Sequence, residues 1–212
     1  MNSKEIKIYS PPNSGWIEYK LNSQEMDYVW KCIENKKRSM KHMLAGNISG
    51  SYELMDRGDW FYTTVLLPLM KVYSRDVYNI GKIVPIVTKN PYCLNRWWVN
   101  YQKQNEFNPL HNHSGVYSFV IWMKIPYDSK KQNLKDIARV SNNPQIGNFS
   151  FLYRNILGEG MDYTYHLSPE YEGMMLFFPS RLDHMVYPFY DCDEDRITVS
   201  GNILVNTNKK IP

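Results

Sequence analysis

The chain has 212 residues, 43% hydrophobic and 15% aromatic, which allows one sizeable core and leans toward β structure. Its formal net charge of +4 is a mild excess that argues against a dedicated nucleic-acid binder, and Lys36-Lys37-Arg38 and Lys209-Lys210 read as solvated surface. Cys32, Cys93 and Cys192 have no motif spacing, which excludes a disulfide framework and a zinc ribbon; a polar Met1 to Ser10, and no apolar run near the roughly 20 residues of a membrane span, point to a soluble cytoplasmic protein.

Residues 1–22 read as an extended arm and a first strand, with a turn at Pro11-Pro12-Asn13-Ser14-Gly15. Residues 23–38 read as a helix that Ser23 can cap, because Met26, Val29, Trp30 and Ile33 recur at helical spacing. A second helix is expected across about 60–80, with Phe61, Val65, Leu69, Val72 and Tyr73 on one side and a kink or break at Pro68. From about residue 83 the texture turns β-like. Strands are expected at 83–87, 96–101, 116–125, 149–155, 163–166, 173–178 and 196–205, with a polar loop or insertion at 128–147. Helices followed by seven or eight short strands predict an α+β chain: a double-stranded β-helix (jelly-roll or cupin-like) with N-terminal helices packed on one face. The chain 1–212 is expected to be a single domain, helical over about 1–82 and a β-barrel over about 83–205.

The chemistry concentrates in the histidines. There are five, and three fall into the order His111-Asn112-His113 followed by His184. Ring nitrogens at i and i+2 point to one side of an extended strand. A third histidine from a distant strand closes a facial metal-ligand set, which leaves open positions for O2 and an organic co-substrate, as non-haem iron requires. The usual set is two histidines and a carboxylate. Here His113 occupies the acidic position, so the site loses one negative charge and favours anionic co-substrates. Asp183 is the reserve carboxylate, although adjacent strand residues point to opposite faces. His42 and His166 stand outside the pattern as surface or structural residues. The run Asp191, Asp193, Glu194, Asp195 lacks the spacing and glycine of a calcium loop and reads as a solvated turn.

Arg196, Thr198 and Ser200 alternate on one strand face. An arginine there can grip a carboxylate with two parallel hydrogen bonds, and Thr198 can add a third. The plainer reading is a surface arginine paired with Asp193 or Asp195. Tyr101 and Asn100, on the strand before His111, and Tyr117, just after His113, are candidates to line the same pocket, although core packing is the favoured account of each tyrosine.

Four stretches carry a resemblance: Trp98-Val99-Asn100-Tyr101; Asn108 through Tyr117, with the histidine pair inside; Phe178-Pro179-Ser180-Arg181-Leu182-Asp183-His184; and Arg196-Ile197-Thr198-Val199-Ser200-Gly201-Asn202. In order and spacing they resemble the 2-oxoglutarate and Fe(II)-dependent dioxygenase superfamily, and within it a group of prolyl-hydroxylase-like oxygenases common in marine bacteriophages and bacteria. The resemblance spans about residues 97–203. It implies a double-stranded β-helix that uses Fe(II), 2-oxoglutarate and O2 and hydroxylates a substrate with release of succinate and CO2. It implies His111, His113 and His184 as metal ligands, with His113 in place of the acid, and Arg196 with Thr198 on the far carboxylate of 2-oxoglutarate. The primary substrate stays open among a protein side chain, a nucleobase and a small metabolite. Two other readings stand beside it. One is a three-histidine cupin-like dioxygenase that needs no 2-oxoglutarate. The other is a non-catalytic jelly-roll structural or binding module, in which Trp97, Trp98 and Trp122 stack on sugars.

Overall fold

The computed structural model describes Lys7, residues 13–80 and residues 92–206. The described strands, in chain order, are β1 (Ile17–Lys20), β2 (Gly50–Glu53), β3 (Tyr92–Gln102), β4 (Asn108–His111), β5 (Tyr117–Lys124), β6 (Phe149–Arg154), β7 (Gly160–Tyr165), β8 (Met174–Pro179), β9 (Asp183–Val186) and β10 (Arg196–Val205). They form two antiparallel sheets. The larger runs β1-β8-β5-β10-β3-β2 and the smaller runs β4-β9-β6-β7. This is the double-stranded β-helix expected from the sequence. The expected strand at 83–87 lies outside the described residues.

Helix α1 (Ser23–Glu34) is capped one residue earlier than expected. Asn22, not Ser23, is the N-cap: its side chain accepts from the Glu25 N–H, and the Glu25 carboxylate accepts from the Asn22 N–H. That reciprocal box satisfies two otherwise orphaned donors. The second helical stretch runs through a π-turn (Tyr62–Leu66), helix α2 (Leu67–Val72) and another π-turn (Tyr73–Val77). Pro68 sits just after the first wide turn, in which the Leu67 N–H reaches back to the Tyr62 carbonyl. A ring that lacks an N–H and crowds the carbonyl four residues back is accommodated there without a break. The 128–147 stretch is mostly irregular, with one-turn helices at Ser129–Gln132 and Asp136–Arg139.

Strand alternation divides the core in two. On β5, Phe119, Ile121 and Met123 face outward onto the helices, where Val29, Ile33, Phe61, Val65 and Tyr73 meet them. Val120 and Trp122 face inward, against Phe149 and Phe151 of the smaller sheet. A strand covered on both sides reads as the near-continuous apolar run seen at 117–123. The inward faces of β3 and β10 differ from the rest. Trp98, Asn100 and Gln102 on β3 pair with Ser200, Thr198 and Arg196 on β10. This polar ladder is one wall of the site.

Candidate active site

β4 and β9 pair antiparallel at one mouth of the barrel, and the register sets His111 opposite His184. His113 follows two residues after His111, beyond the strand end. Its N–H donates to the Ser180 carbonyl at 2.8 Å, and the Ser180 N–H donates to the Val116 carbonyl at 3.1 Å. These bonds clip the turn to the segment that leads into β9. Gly115 makes the turn possible: its φ is +117°, and a Cβ there would come within 2.8 Å of the Ile203 carbonyl oxygen. A second clip joins Asn112 to Asp183, whose carboxylate accepts from the Asn112 amide at 2.7 Å.

One ring nitrogen from each of His111, His113 and His184 lies within 4.8 Å of the other two. His111 Nδ1 lies 2.7 Å from the Pro109 carbonyl oxygen, and His184 Nδ1 lies 2.9 Å from that of Leu182. A carbonyl only accepts, so each Nδ1 carries the proton and each Nε2 keeps its lone pair. This is how backbone acceptors set metal-ligating imidazoles. Burial, then repulsion from His111, holds His113 down at about 4. Burial, then His111 and His113, hold His184 down at about 3. Burial also lowers His111, with Pro109 and Asp183 opposing. All three are neutral at pH 7, the state that a metal needs. The donors fit a divalent ion that accepts imidazole. Asp183 is turned to Asn112 and lies outside the cluster.

Arg196 is 1% exposed, and among the described residues it has no acidic partner. The surface pairing weighed for it does not form: Asp193 takes a hydrogen bond from Gln104 instead. Nη1 of Arg196 donates to the Tyr127 hydroxyl and, at 3.3 Å, to the Gly147 carbonyl; Nη2 donates to Gln102 Oε1. Nε is buried with no partner. The guanidinium is thus held by neutral groups, and its charge is left uncompensated. A buried charge without a counterion is costly, and an anion bound beside it removes that cost.

Arg196, Thr198 and the three histidines line one cavity of about 330 Å³. Tyr101, expected in this pocket, is not in it. It sits across from Ile197 on the outward face and packs against Tyr52. Its neighbours Asn100 and Gln102 face the cavity in its place. Tyr117 is likewise outward, fully buried beside Tyr73. Trp97, Trp98 and Trp122 are 2%, 4% and 1% exposed, too buried to form a sugar platform. Sequence reasoning missed Tyr127 and Gln102, the groups that hold Arg196. Neither carries a signal in the sequence, because Gln102 comes into phase with Arg196 only through the pairing of β3 with β10.

Residues 96–202 match the family model described as "Putative 2OG-Fe(II) oxygenase". No curated protein matches the chain. Among solved structures, a Pseudomonas putida prolyl-4-hydroxylase shares the fold at a TM-score of 0.51 and 14% identity, over 91% of this chain and 94% of that one. A 2OG-Fe(II) oxygenase-family oxidoreductase from Burkholderia pseudomallei gives 0.49 and 12%, over 90% and 84%. A viral collagen prolyl hydroxylase from Paramecium bursaria Chlorella virus-1 gives 0.48 and 12%, over 89% and 94%. The family match covers half of the chain and contains His111, His113, His184 and Arg196, so the protein belongs to the 2OG-Fe(II) oxygenases, and its cofactors are Fe(II) and 2-oxoglutarate.

Proposed function

We propose that this 2-oxoglutarate-dependent dioxygenase holds Fe(II) on the Nε2 atoms of His111 and His184 and a ring nitrogen of His113, and holds the far carboxylate of 2-oxoglutarate on Arg196, with Thr198 beside it. The observation that carries the reading is the pairing of two features in one cavity: three neutral imidazoles with converging nitrogens, and a buried arginine with no counter-charge. When bound, Fe(II) with 2-oxoglutarate and O2 supplies a two-electron oxidation of a substrate C–H bond, with succinate and CO2 as co-products.

The chain's own residues do the rest. Pro109 and Leu182 fix two tautomers through their carbonyl oxygens. Tyr127 and Gln102 fix the plane of the guanidinium. Val120, Trp122, Phe149 and Phe178 line the cavity beside these groups and limit water in it. We place the helical part and the barrel in one oxygenase domain, because they share one core cluster. Among the described residues no helix is long and apolar enough to cross a membrane.

Anaerobic titration with Fe(II) and then 2-oxoglutarate tests the assignment, through the weak visible charge-transfer band of the chelate. A band in the wild type that disappears in His184→Ala is the expected result. Iron retention without a band in the wild type would replace this reading with a three-histidine dioxygenase that needs no 2-oxoglutarate. Failure to retain iron would remove the metal assignment altogether.

A further inference from the structure

We infer that the primary substrate carries an anionic group, a carboxylate or a phosphate, and that Lys41 and Arg96 at the cavity mouth receive it; this rests on the metal and co-substrate assignment above. The cavity lining contains three charged side chains outside the histidines, namely Lys41, Arg96 and Arg196, and no aspartate or glutamate. Neither Lys41 nor Arg96 has an acidic partner among the described residues. By contrast, Lys124 at the far end of β5 pairs with Glu194, and Arg38 pairs with Glu53. The mouth therefore presents positive charge with no carboxylate in the cavity wall to offset it.

Strand register gives the two positions a meaning. Moving along β3 and β10, the cavity-facing pairs are Gln102 with Arg196, Asn100 with Thr198, Trp98 with Ser200, and Arg96 with Asn202. Arg196 marks the co-substrate end. Trp98 marks the level of the metal ligands, since its ring centroid is 6.1 Å from that of His113. Arg96 is one two-residue step farther toward solvent, about 7 Å along the strand. A group bound there lies on the opposite side of the metal level from 2-oxoglutarate, where a substrate must lie. Arg96 is also steadied: Nη1 sits 3.5 Å from Met43 Sδ, in the short 3-10 turn Lys41–Met43 that carries Lys41. Asn202 adds a third group. It lines the cavity, and its Oδ1 accepts from Ser118 at 2.8 Å.

Charge points the same way. Three neutral ligands leave the full charge of the metal in the cavity, and Arg196 adds to it. A dianionic co-substrate does not cancel that sum, and Lys41 and Arg96 increase it. In a cleft with low-dielectric walls, such a field selects anions and speeds their entry. The volume, about 330 Å³ for co-substrate and substrate together, restricts the guest to a small acid or the tip of a larger one.

The test uses protein loaded with Co(II), which does not turn over, and saturating 2-oxoglutarate. Two probes, methylphosphonate and acetate, are titrated separately, with methyl proton relaxation as the readout. Wild type should bind at least one probe, and Lys41→Ala/Arg96→Ala should bind it about tenfold more weakly or worse. The charge-keeping pair Lys41→Arg/Arg96→Lys should restore most of the binding. Tighter methylphosphonate binding identifies a phosphate-bearing substrate, and equal or tighter acetate binding identifies a carboxylate. No binding to the wild type, or equal binding to the alanine variant, overturns the inference. The visible 2-oxoglutarate band of the Fe(II) protein is recorded in parallel: its presence without anion binding sinks this inference alone, and its absence sinks the co-substrate assignment beneath it.

Discussion

His111 on β4 lies directly across the strand pair from His184 on β9, and the two imidazole centroids are 4.3 Å apart. Two bases are thus held close together, their rings tilted by 53°, with His113 as the third at 5.1 Å and 5.0 Å. The arrangement resists protonation. Burial first, then the neighbouring rings, lower His113 to about 4 and His184 to about 3. Each ring therefore binds its proton less well in the folded chain than in the unfolded one, where the ordinary value is 6.5. Between those values the unfolded chain carries more protons, so stability rises with pH. The ligand-free protein should keep its full stability above about pH 6.5 and lose it progressively toward about pH 3. Thermal melts across this window check the trend, and His184→Leu should flatten it. Metal binding at pH 7 should release almost no protons. Calorimetry with Co(II) in buffers of different ionisation enthalpy should give one common heat; a buffer-dependent heat would show that the rings are protonated before loading.

The histidines were legible in the sequence because their chemistry survives without a structure: a short His-x-His and a later histidine need only some fold that joins them. The strands bearing them were not. Asn108–His111 contains a proline and Asp183–Val186 has four residues, too few for alternation to show. β2 (Gly50–Glu53) is equally short. Long strands with both faces buried, such as β5 and β8, were readable from their apolar runs. Tyr101 failed for a different reason. One residue of phase separates it from Gln102, and that phase comes from pairing with Arg196, a contact across 94 residues that spacing does not encode.

Arg196 offers a sharp test because its two roles separate. Its buried charge does nothing for the ligand-free fold that an apolar side chain would not do as well. Arg196→Met should therefore melt at or above the wild-type temperature without ligand. Its 2-oxoglutarate binding should fall by about 100-fold, the loss of two charge-assisted hydrogen bonds. The ligand should raise the melting temperature of the wild type and leave that of the variant unmoved. A variant that unfolds readily without ligand would mean the arginine is structural instead.

Gln102→Glu asks the converse question. Nη2 of Arg196 already points at the Gln102 side-chain oxygen. The new carboxylate has nearly the same shape and supplies the missing anion from within the chain. Gln102 Nε2 also donates to the Glu106 carbonyl at 2.6 Å, a bond the carboxylate cannot make, so the ligand-free protein should show little net change in melting temperature. The same internal pair should compete with 2-oxoglutarate and weaken its binding by about tenfold or more. Unchanged 2-oxoglutarate affinity would show that the guanidinium does not receive it.

The Asn112–Asp183 hydrogen bond spans the two segments that hold the histidines, and neither residue belongs to the nitrogen cluster. Asp183 is one residue from His184, and Asn112 lies between His111 and His113. Breaking the bond should loosen the relative placement of all three rings without removing a donor. Outer partners of this kind are worth about 10–100-fold in metal affinity. Asp183→Ala should bind Co(II) about tenfold more weakly, with a visible spectrum shifted from that of the wild type. Asp183→Asn keeps an acceptor oxygen at the same place and should recover most of the affinity, because the Asn112 amide can still donate to it. If the asparagine variant instead loses as much as the alanine variant, the carboxylate acts through its charge on His111, and the clip itself contributes little. Loss on the scale of a deleted histidine would go further and make Asp183 a ligand in solution.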